Sequence, residues 1–440
     1  MRGFFGLLGL AFVAAWAVQA QVSVLPSALS DTDFLPVDPA EAALGRLLFY
    51  DPILSGNREA SCATCHHPAL GTSDGLSLGL GDGGIGLGPN RRADPANLPE
   101  QRIPRNSQAL WNLGAVEYHS LFHDGRVEVL PGPAGGLRTP LDEDMMEGFA
   151  SILSAQTMFP VLSPDEMAGH YSENEIAQAV RLGVITGPGG AWDLIAQRVR
   201  AIPAYAEAFA RVYPAVAAGR AVEFTDISNA IAAFVAFEFR SDTAPFDAVL
   251  RGEGVLDGAE VEGMRLFYGP AGCADCHSGP FQTDHLFHAM GAPQLGPGKG
   301  ARFETHARDE GRFRVTGDPA DLYAFRTPAL RNVALTSPYG HAGAHSDLAA
   351  FIAAHGDPAG GYDRAQAVLP ALAVEDWRIA DDPVEVAAIA VAVARAPVAL
   401  STAEVAALVA FLGALTDPAA VAGRLGVPEA VPSGLPVVQP

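Results

Sequence analysis

Two five-residue patterns constrain this chain more than any other feature: Cys62-Ala-Thr-Cys65-His66 and Cys273-Ala-Asp-Cys276-His277. They account for all four cysteines among the 440 residues. Cys-x-x-Cys-His is the pattern of covalent haem attachment. Thiols three positions apart reach the two vinyl groups of one porphyrin from a single helical turn, and the next imidazole comes beneath the iron as proximal ligand. A four-cysteine zinc site would have to join pairs more than 200 residues apart. A disulfide within each pair leaves both following histidines unexplained. The pattern therefore implies two covalently bound haem c groups and no thiol to spare.

The start of the chain agrees with such chemistry. Arg2, an apolar run over residues 4–18 and the ending Val18-Gln19-Ala20 read as a secretory signal peptide, residues 1–20, cleaved after Ala20. The run is short for a membrane anchor. The Ala/Val-rich stretch 384–400 is interrupted by Glu385, Arg395 and Pro397, so it reads as a packed helix and its continuation. The expected product is an exported, periplasmic protein that does not span a membrane. With 49% hydrophobic and 18% charged residues it is not intrinsically disordered. A formal charge of −22 repels phosphate backbones, which excludes nucleic acid and favours a basic partner. Removal of Arg2 and addition of haem carboxylates deepen that charge.

The segments before the two motifs are related. Arg46-Leu47-Leu48-Phe49-Tyr50-Asp51-Pro52 precedes the first and Arg265-Leu266-Phe267-Tyr268-Gly269-Pro270 the second. Each reads as the end of an amphipathic helix, a turn and then a haem-binding segment. Residues 225–240, with Ile227, Ile231, Phe234 and Val235, and residues 402–415, with Val405, Leu408, Val409 and Leu412, have helical spacing. Strand-like alternation is scarce. The fold class expected is mainly α, two cytochrome c-like haem domains over 21–245 and 246–440, with long ordered loops supplied by 47 glycines and 34 prolines. The glycine-rich stretch 75–88 lacks the Gly-Lys-Ser/Thr ending of a phosphate loop and reads as one of those loops.

Beyond the haem motifs, the chain resembles the bacterial di-haem cytochrome c peroxidases and their relative MauG over nearly its whole mature length. Phe122-His123-Asp124-Gly125-Arg126 resembles the family's Trp-Asp-Gly-Arg, and Ser163-Pro164-Asp165-Glu166-Met167 its Asn-Pro-x-Glu-Met. Phe325-Arg326-Thr327-Pro328-Ala329-Leu330-Arg331-Asn332-Val333 and Thr336-Ser337-Pro338-Tyr339-Gly340-His341 match near the end. The resemblance implies that hydrogen peroxide reacts at the first haem while the second transfers electrons. It implies that Glu166 moves protons over the first iron, and that Gln156, ten residues earlier, lines the same pocket. It also implies a calcium between the haems, held by Asn106 and the carbonyls of Thr336 and Pro338, oxygen donors suited to a hard cation.

Three departures from the family pattern sharpen the expectation. The histidine that caps the first iron in many of these peroxidases is here Asp82, sixteen residues past His66, which implies an open first haem. His67, beside the proximal ligand, reads as structural. The distal ligand of the second haem, Met in the peroxidases and Tyr in MauG, falls on His355, fourteen residues past His341, with His345 and Tyr362 as alternatives. A nitrogen donor lowers the potential relative to methionine. His123 stands where the family has the Trp between its haems, so Trp111 and His123 are the candidate relays. An insertion over 127–153 carries Met145, Met146 and Phe149, a docking surface or, by default, a packed loop.

Two enzyme readings follow from the resemblance. In one, the protein oxidises aromatic side chains of a protein partner, as MauG and the related MbnH proteins do. In the other, a small cytochrome or cupredoxin supplies electrons and peroxide is reduced to water. A non-catalytic di-haem electron-transfer protein is the third reading, and either a monomer or a homodimer is compatible with all three.

Overall fold

The computed structural model describes residues 25–130, 136–170, 173–300, 304–358, 362–393 and 395–439. The expected signal peptide lies outside them, as do residues 131–135 of the insertion.

Helix α1 (Pro39–Tyr50) begins where Asp38 accepts a hydrogen bond from the Ala40 N–H at 2.8 Å and Pro39 takes the first helical position. It delivers the chain to the first cysteine pair and crosses α2 (Phe224–Glu238). The crossing is close enough to require glycine: a Cβ on Gly45 would lie 1.7 Å from the Ala230 carbonyl oxygen. In the second half, α3 (Gly258–Phe267) precedes the other cysteine pair, α4 (Leu348–His355) follows it, and α5 (Thr402–Gly413) packs against both. There a Cβ on Gly263 would lie 1.9 Å from the Ala407 carbonyl oxygen. The aromatic packing repeats as well, with ring centroids 5.1 Å apart for Phe49 and Phe234 and 5.2 Å apart for Phe267 and Phe411. The duplication read from the sequence is thus one helix crossing used twice.

Each crossing nucleates its own apolar core. Burying a side chain such as Phe234 or Phe411 contributes roughly 1.5–3 kcal/mol. Among the described residues, strands are confined to three small antiparallel sheets, including Phe287–His288 paired with Phe325–Arg326. Within the insertion, Met145, Met146 and Phe149 pack against the first core as a covering loop. The last residues do not stay with the second core. Ala420, Leu425 and Val431 pack on the first core, and Glu238 accepts hydrogen bonds from the backbone N–H groups of Arg424, Leu425 and Gly426. Ser433 donates to Asp51 at 2.6 Å.

Charged groups join the halves. Arg105 donates to Asp309 at 2.6 and 2.8 Å and to Asp124 at 2.6 Å, with all three side chains buried. Arg102 makes a two-pronged bond to Asp376. Among the described residues no helix is long and apolar enough to cross a membrane.

Candidate functional site

At the first motif, Cys62–Cys65 form one helical turn and His66 ends it. The His66 Nδ1 lies 3.1 Å from the Thr72 carbonyl oxygen. A carbonyl can only accept, so Nδ1 carries the proton and Nε2 keeps its lone pair for a metal. The second motif repeats the device: His277 Nδ1 lies 3.1 Å from the Gln282 carbonyl oxygen. Thr72 (φ 65°) and Gln282 (φ 52°) both hold the left-handed conformation that side chains rarely adopt, a local cost concentrated at the two carbonyls that orient the imidazoles. All four cysteines are free of disulfides. Among the described residues, groups with metal-ligand geometry are Cys276, Asp284 and His288, and Glu304, His306 and Glu310, so the two cysteine pairs do not converge on one zinc. His67 accepts from the Ala69 N–H at 3.2 Å and packs edge-on to Tyr50, a structural position.

Cys62, Cys65, His66, His277, His355 and Glu166 lie deep in the protein yet retain accessible surface, because they face internal space. The space beside His277 is a cavity of about 330 Å³ whose apolar wall includes Phe267, Leu330, Phe351 and Leu408. His355, the last residue of α4, lines it too, with Nδ1 2.8 Å from the Phe351 carbonyl oxygen. Burial, then the neighbouring charge of His355, lowers the His277 pKa to about 4, and burial lowers that of His355 as well, so both imidazoles are neutral at neutral pH. The alternatives His345 and Tyr362 do not line this cavity, whereas Met290 does.

Arg326, also in the lining, is buried and bonds only to the main-chain oxygens of Phe122 and Thr327, with no carboxylate partner among the described residues. An unpaired guanidinium in an apolar cavity requires an anion. A flat, apolar group bearing carboxylates, anchored by two thiols and gripped by two imidazoles, satisfies every one of these demands, so the residues fit a haem.

At the first site Glu166 sits on the turn Pro164–Ala168. Its pKa is raised by burial, against the opposing charges of Lys299 and Arg126. Burial, then Asp74 and to a lesser degree Glu166, raises the pKa of the Cys65 thiol. Gln156 lies on the short helix Ile152–Thr157, its Oε1 buried without a hydrogen-bond partner. Lys299 comes from the second half of the chain; burial and the charges of Arg126 and Arg105 push its ammonium down to about 8. Gly81 packs against the Glu166 turn so closely that a Cβ would lie 2.3 Å from the carbonyl oxygens of Asp165 and Glu166. Next to it, the buried Asp82 accepts from Asn57 Nδ2 at 3.1 and 3.2 Å and from Asn97 Nδ2 at 3.3 Å. Burial, then Glu59, raises its pKa to about 6. Its carboxylate is engaged by amides.

Residues 106–113 form the wall between the two sites. On one side Ser107 Oγ donates to the Cys65 carbonyl and lies 3.3 Å from His66 Nδ1. On the other, Asn106, Gln108 and Trp111 line the second cavity with Thr336, Pro338 and His341. Asn106 Nδ2 donates to the Leu76 carbonyl at 2.8 Å, leaving Oδ1 as an oxygen donor, and Asn106, Thr336 and Pro338 all line the same large cavity. His123 is locked: Nε2 donates to the Asn106 carbonyl at 3.0 Å and Nδ1 accepts from Gln108 at 3.4 Å. Burial, then Arg105, lowers its pKa to about 3. Trp111 is buried edge-on to Phe239 with its Nε1 unpartnered.

Residues 39–254 match the family described as di-haem cytochrome c peroxidase. The methylamine utilization protein MauG of Methylorubrum extorquens is 30% identical over 319 residues, covering 72% of this chain and 69% of that protein. The chain belongs to the di-haem cytochrome c peroxidase family. The cytochrome c551 peroxidase of Pseudomonas aeruginosa is 29% identical over 320 residues and 72% of each chain. A crystal structure of a MauG-like protein associated with microbial copper homeostasis superposes with a TM-score of 0.57 at 26% identity, covering 92% of this chain and 97% of that one. The diheme peroxidase BthA from Burkholderia thailandensis has the same fold, with a TM-score of 0.58 at 22% identity over 94% of each chain. Membership in this di-haem peroxidase family brings two haem c groups and peroxidase-type oxidoreductase chemistry, so the non-catalytic reading falls. Sequence reading missed the orienting carbonyls of Thr72 and Gln282, the anion partner Arg326, although it lies inside a quoted motif, and Lys299.

Proposed function

We propose that this protein is an exported, periplasmic di-haem oxidoreductase that activates hydrogen peroxide at the His66 haem and draws on the His277/His355 haem to oxidise aromatic side chains of a protein partner. The observation that carries the reading is His355, a nitrogen donor with its Nδ1 committed to a carbonyl, lining one cavity with His277. A nitrogen donor lowers the potential and favours the more oxidised state, which suits sharing an oxidising equivalent better than storing an electron. Asp82 supports the same reading. A carboxylate held by Asn57 and Asn97 is a poor cap for the first iron, so peroxide can enter without prior reduction.

When bound, the haems supply one-electron redox chemistry. Glu166 would accept the proton that peroxide loses on binding and return it to the departing oxygen, which leaves as one water; the second oxygen becomes water only with the two electrons and two protons that the oxidised aromatic partner gives up. Gln156, with its free buried Oε1, orients peroxide beside Glu166. Arg326 neutralises a haem carboxylate. Asn106 with the Thr336 and Pro338 carbonyls holds one calcium in the wall between the haems, and Trp111, with His123 as hydrogen-bonded support, provides an aromatic step across that wall.

The test is to add peroxide to the fully ferric protein and record EPR and near-infrared spectra. Simultaneous fading of both ferric signals without pre-reduction is the expected result. If nothing happens until one haem is reduced, the protein is a peroxidase served by a small cytochrome or cupredoxin.

A further inference from the structure

An unbroken row of aromatic rings leads away from the His355 end of the second cavity. The Phe351 ring centroid lies 4.7 Å from that of His355, His345 follows at 5.5 Å, Tyr362 at 5.6 Å and Trp377 at 6.1 Å. His355 and Phe351 line the cavity, and the other three rings do not. Tyr362 and Trp377 pack on a small apolar core around Leu78 and Leu295, which keeps water from the row. Of the three tryptophans among the described residues, Trp111 and Trp192 are buried, whereas Trp377 is half-buried and reaches the surface. Over its indole, 4.9 Å from the ring centroid, stands the Arg364 guanidinium. Arg364 is paired with Asp381, and both side chains are exposed.

Aromatic rings cluster for packing alone, but packing does not require a row that starts on a redox cavity and ends at the surface. Electrons pass readily between π systems in contact and far more slowly across saturated gaps. We propose that this row is the outlet of the second haem, and that Trp377 is the surface residue through which electrons are drawn from aromatic side chains of a protein partner. Indole is the side chain best able to give up an electron without first losing a proton. A phenol must lose its proton as it is oxidised, and the Tyr362 hydroxyl is buried with no hydrogen-bond partner among the described residues. The electron vacancy therefore passes Tyr362 and rests on Trp377. The Arg364 charge alone would oppose it there, and Asp381 balances that charge. Trp377 gives one electron inward and is refilled by one electron from the partner's ring. Two such transfers match the two electrons that peroxide takes up as its O–O bond breaks. The two protons released by the partner's oxidised ring complete the second water. The outlet rests on the reading above in which the second haem holds an oxidising equivalent.

The test adds peroxide to ferric holoprotein with no partner present. Stopped-flow and near-infrared absorbance follow the oxidised state, and mass spectrometry of peptides maps where oxidation settles. With no partner to refill it, Trp377 is expected to be the principal oxidised residue, gaining an oxygen atom from water for every two electrons removed. Trp377→Phe should lengthen the life of the oxidised state severalfold, with the resting haem spectra unchanged. Tyr362→Leu breaks the row but keeps Trp377. It should spare Trp377 from oxidation and lengthen the lifetime in the same way, and it carries the test if the Trp377 variant fails to fold. Tyr362→Phe keeps a ring in the row and should restore both the wild-type lifetime and the oxidation of Trp377. Unchanged lifetimes in Trp377→Phe and Tyr362→Leu, or oxidation mapped elsewhere while Trp377 stays intact, overturn the outlet. If peroxide oxidises the second haem and these variants change nothing, only the outlet fails. If peroxide never oxidises the second haem of the wild-type protein, the reading of that haem fails first and the outlet falls with it.

Discussion

His277 and His355 line one cavity, and each commits its Nδ1–H to a main-chain carbonyl, at 3.1 Å to Gln282 and 2.8 Å to Phe351. His66 does the same with Thr72. Three imidazoles therefore carry the tautomer that leaves Nε2 free for iron, and the carbonyl partner raises the basicity of each ring as a ligand. His355→Ala is expected to convert the second haem from low to high spin in the ferric EPR spectrum, with the first haem unchanged. His345→Ala and Tyr362→Phe should leave both signals intact. A low-spin signal that survives His355→Ala would assign the ligand elsewhere in the cavity, with Met290 first in line.

Glu166→Gln removes the group that exchanges protons with peroxide, and the bimolecular rate should fall by roughly 10²–10⁴-fold. Burial raises the Glu166 pKa above the ordinary value of 4.5. Only the ionised form can take the peroxide proton. The wild-type rate should therefore rise with pH through a point above 4.5, and this limb should vanish in the variant, as read by stopped-flow absorbance.

Arg105 holds Asp124 and Asp309 in one buried knot; against the opposing effect of burial, Arg126 and then Arg105 depress the Asp124 pKa, and Arg105 depresses that of Asp309. Because the folded-state values lie below the ordinary 3.8, the stabilisation is complete above that pH and is lost as pH falls through the depressed values. Arg105→Leu strands the buried Asp309 carboxylate, while Asp124 keeps Arg126 at 3.1 Å, and should cost about 3–5 kcal/mol at neutral pH. Thermal denaturation followed from pH 7 down to the acid range should find the gap between wild type and variant closing in acid.

Metal analysis of the purified protein should find one calcium per chain, removable by chelator. Restoring calcium to about a hundredfold excess over its Kd should raise stability by roughly 2.7 kcal/mol, seen as a higher Tm. Asn106→Ala should abolish that response. If chelator leaves Tm and metal content unchanged, the Asn106, Thr336 and Pro338 oxygens have another purpose.

The sequence by itself determined the haem anchors, because two thiols and an imidazole must share one helical turn and so stand within five residues of one another. It determined the helix that feeds each anchor and its duplication, since 3.6-residue periodicity and the Leu-Phe-Tyr ending fall inside one window. The register from His341 led to His355, and α4 carries that residue to the cavity. Only the tertiary structure decided the rest. Why Gly45 and Gly263 must be glycine depends on Ala230 and Ala407, more than 140 residues further along. That Arg326 lacks a carboxylate partner among the described residues, that the charge of Lys299 from the second half acts on Glu166 in the first, and that the tail after Asp417 returns to the first core are all facts of packing. Each joins groups far apart in sequence, where no local spacing rule applies and the partner is fixed only once the chain has closed around its two sites.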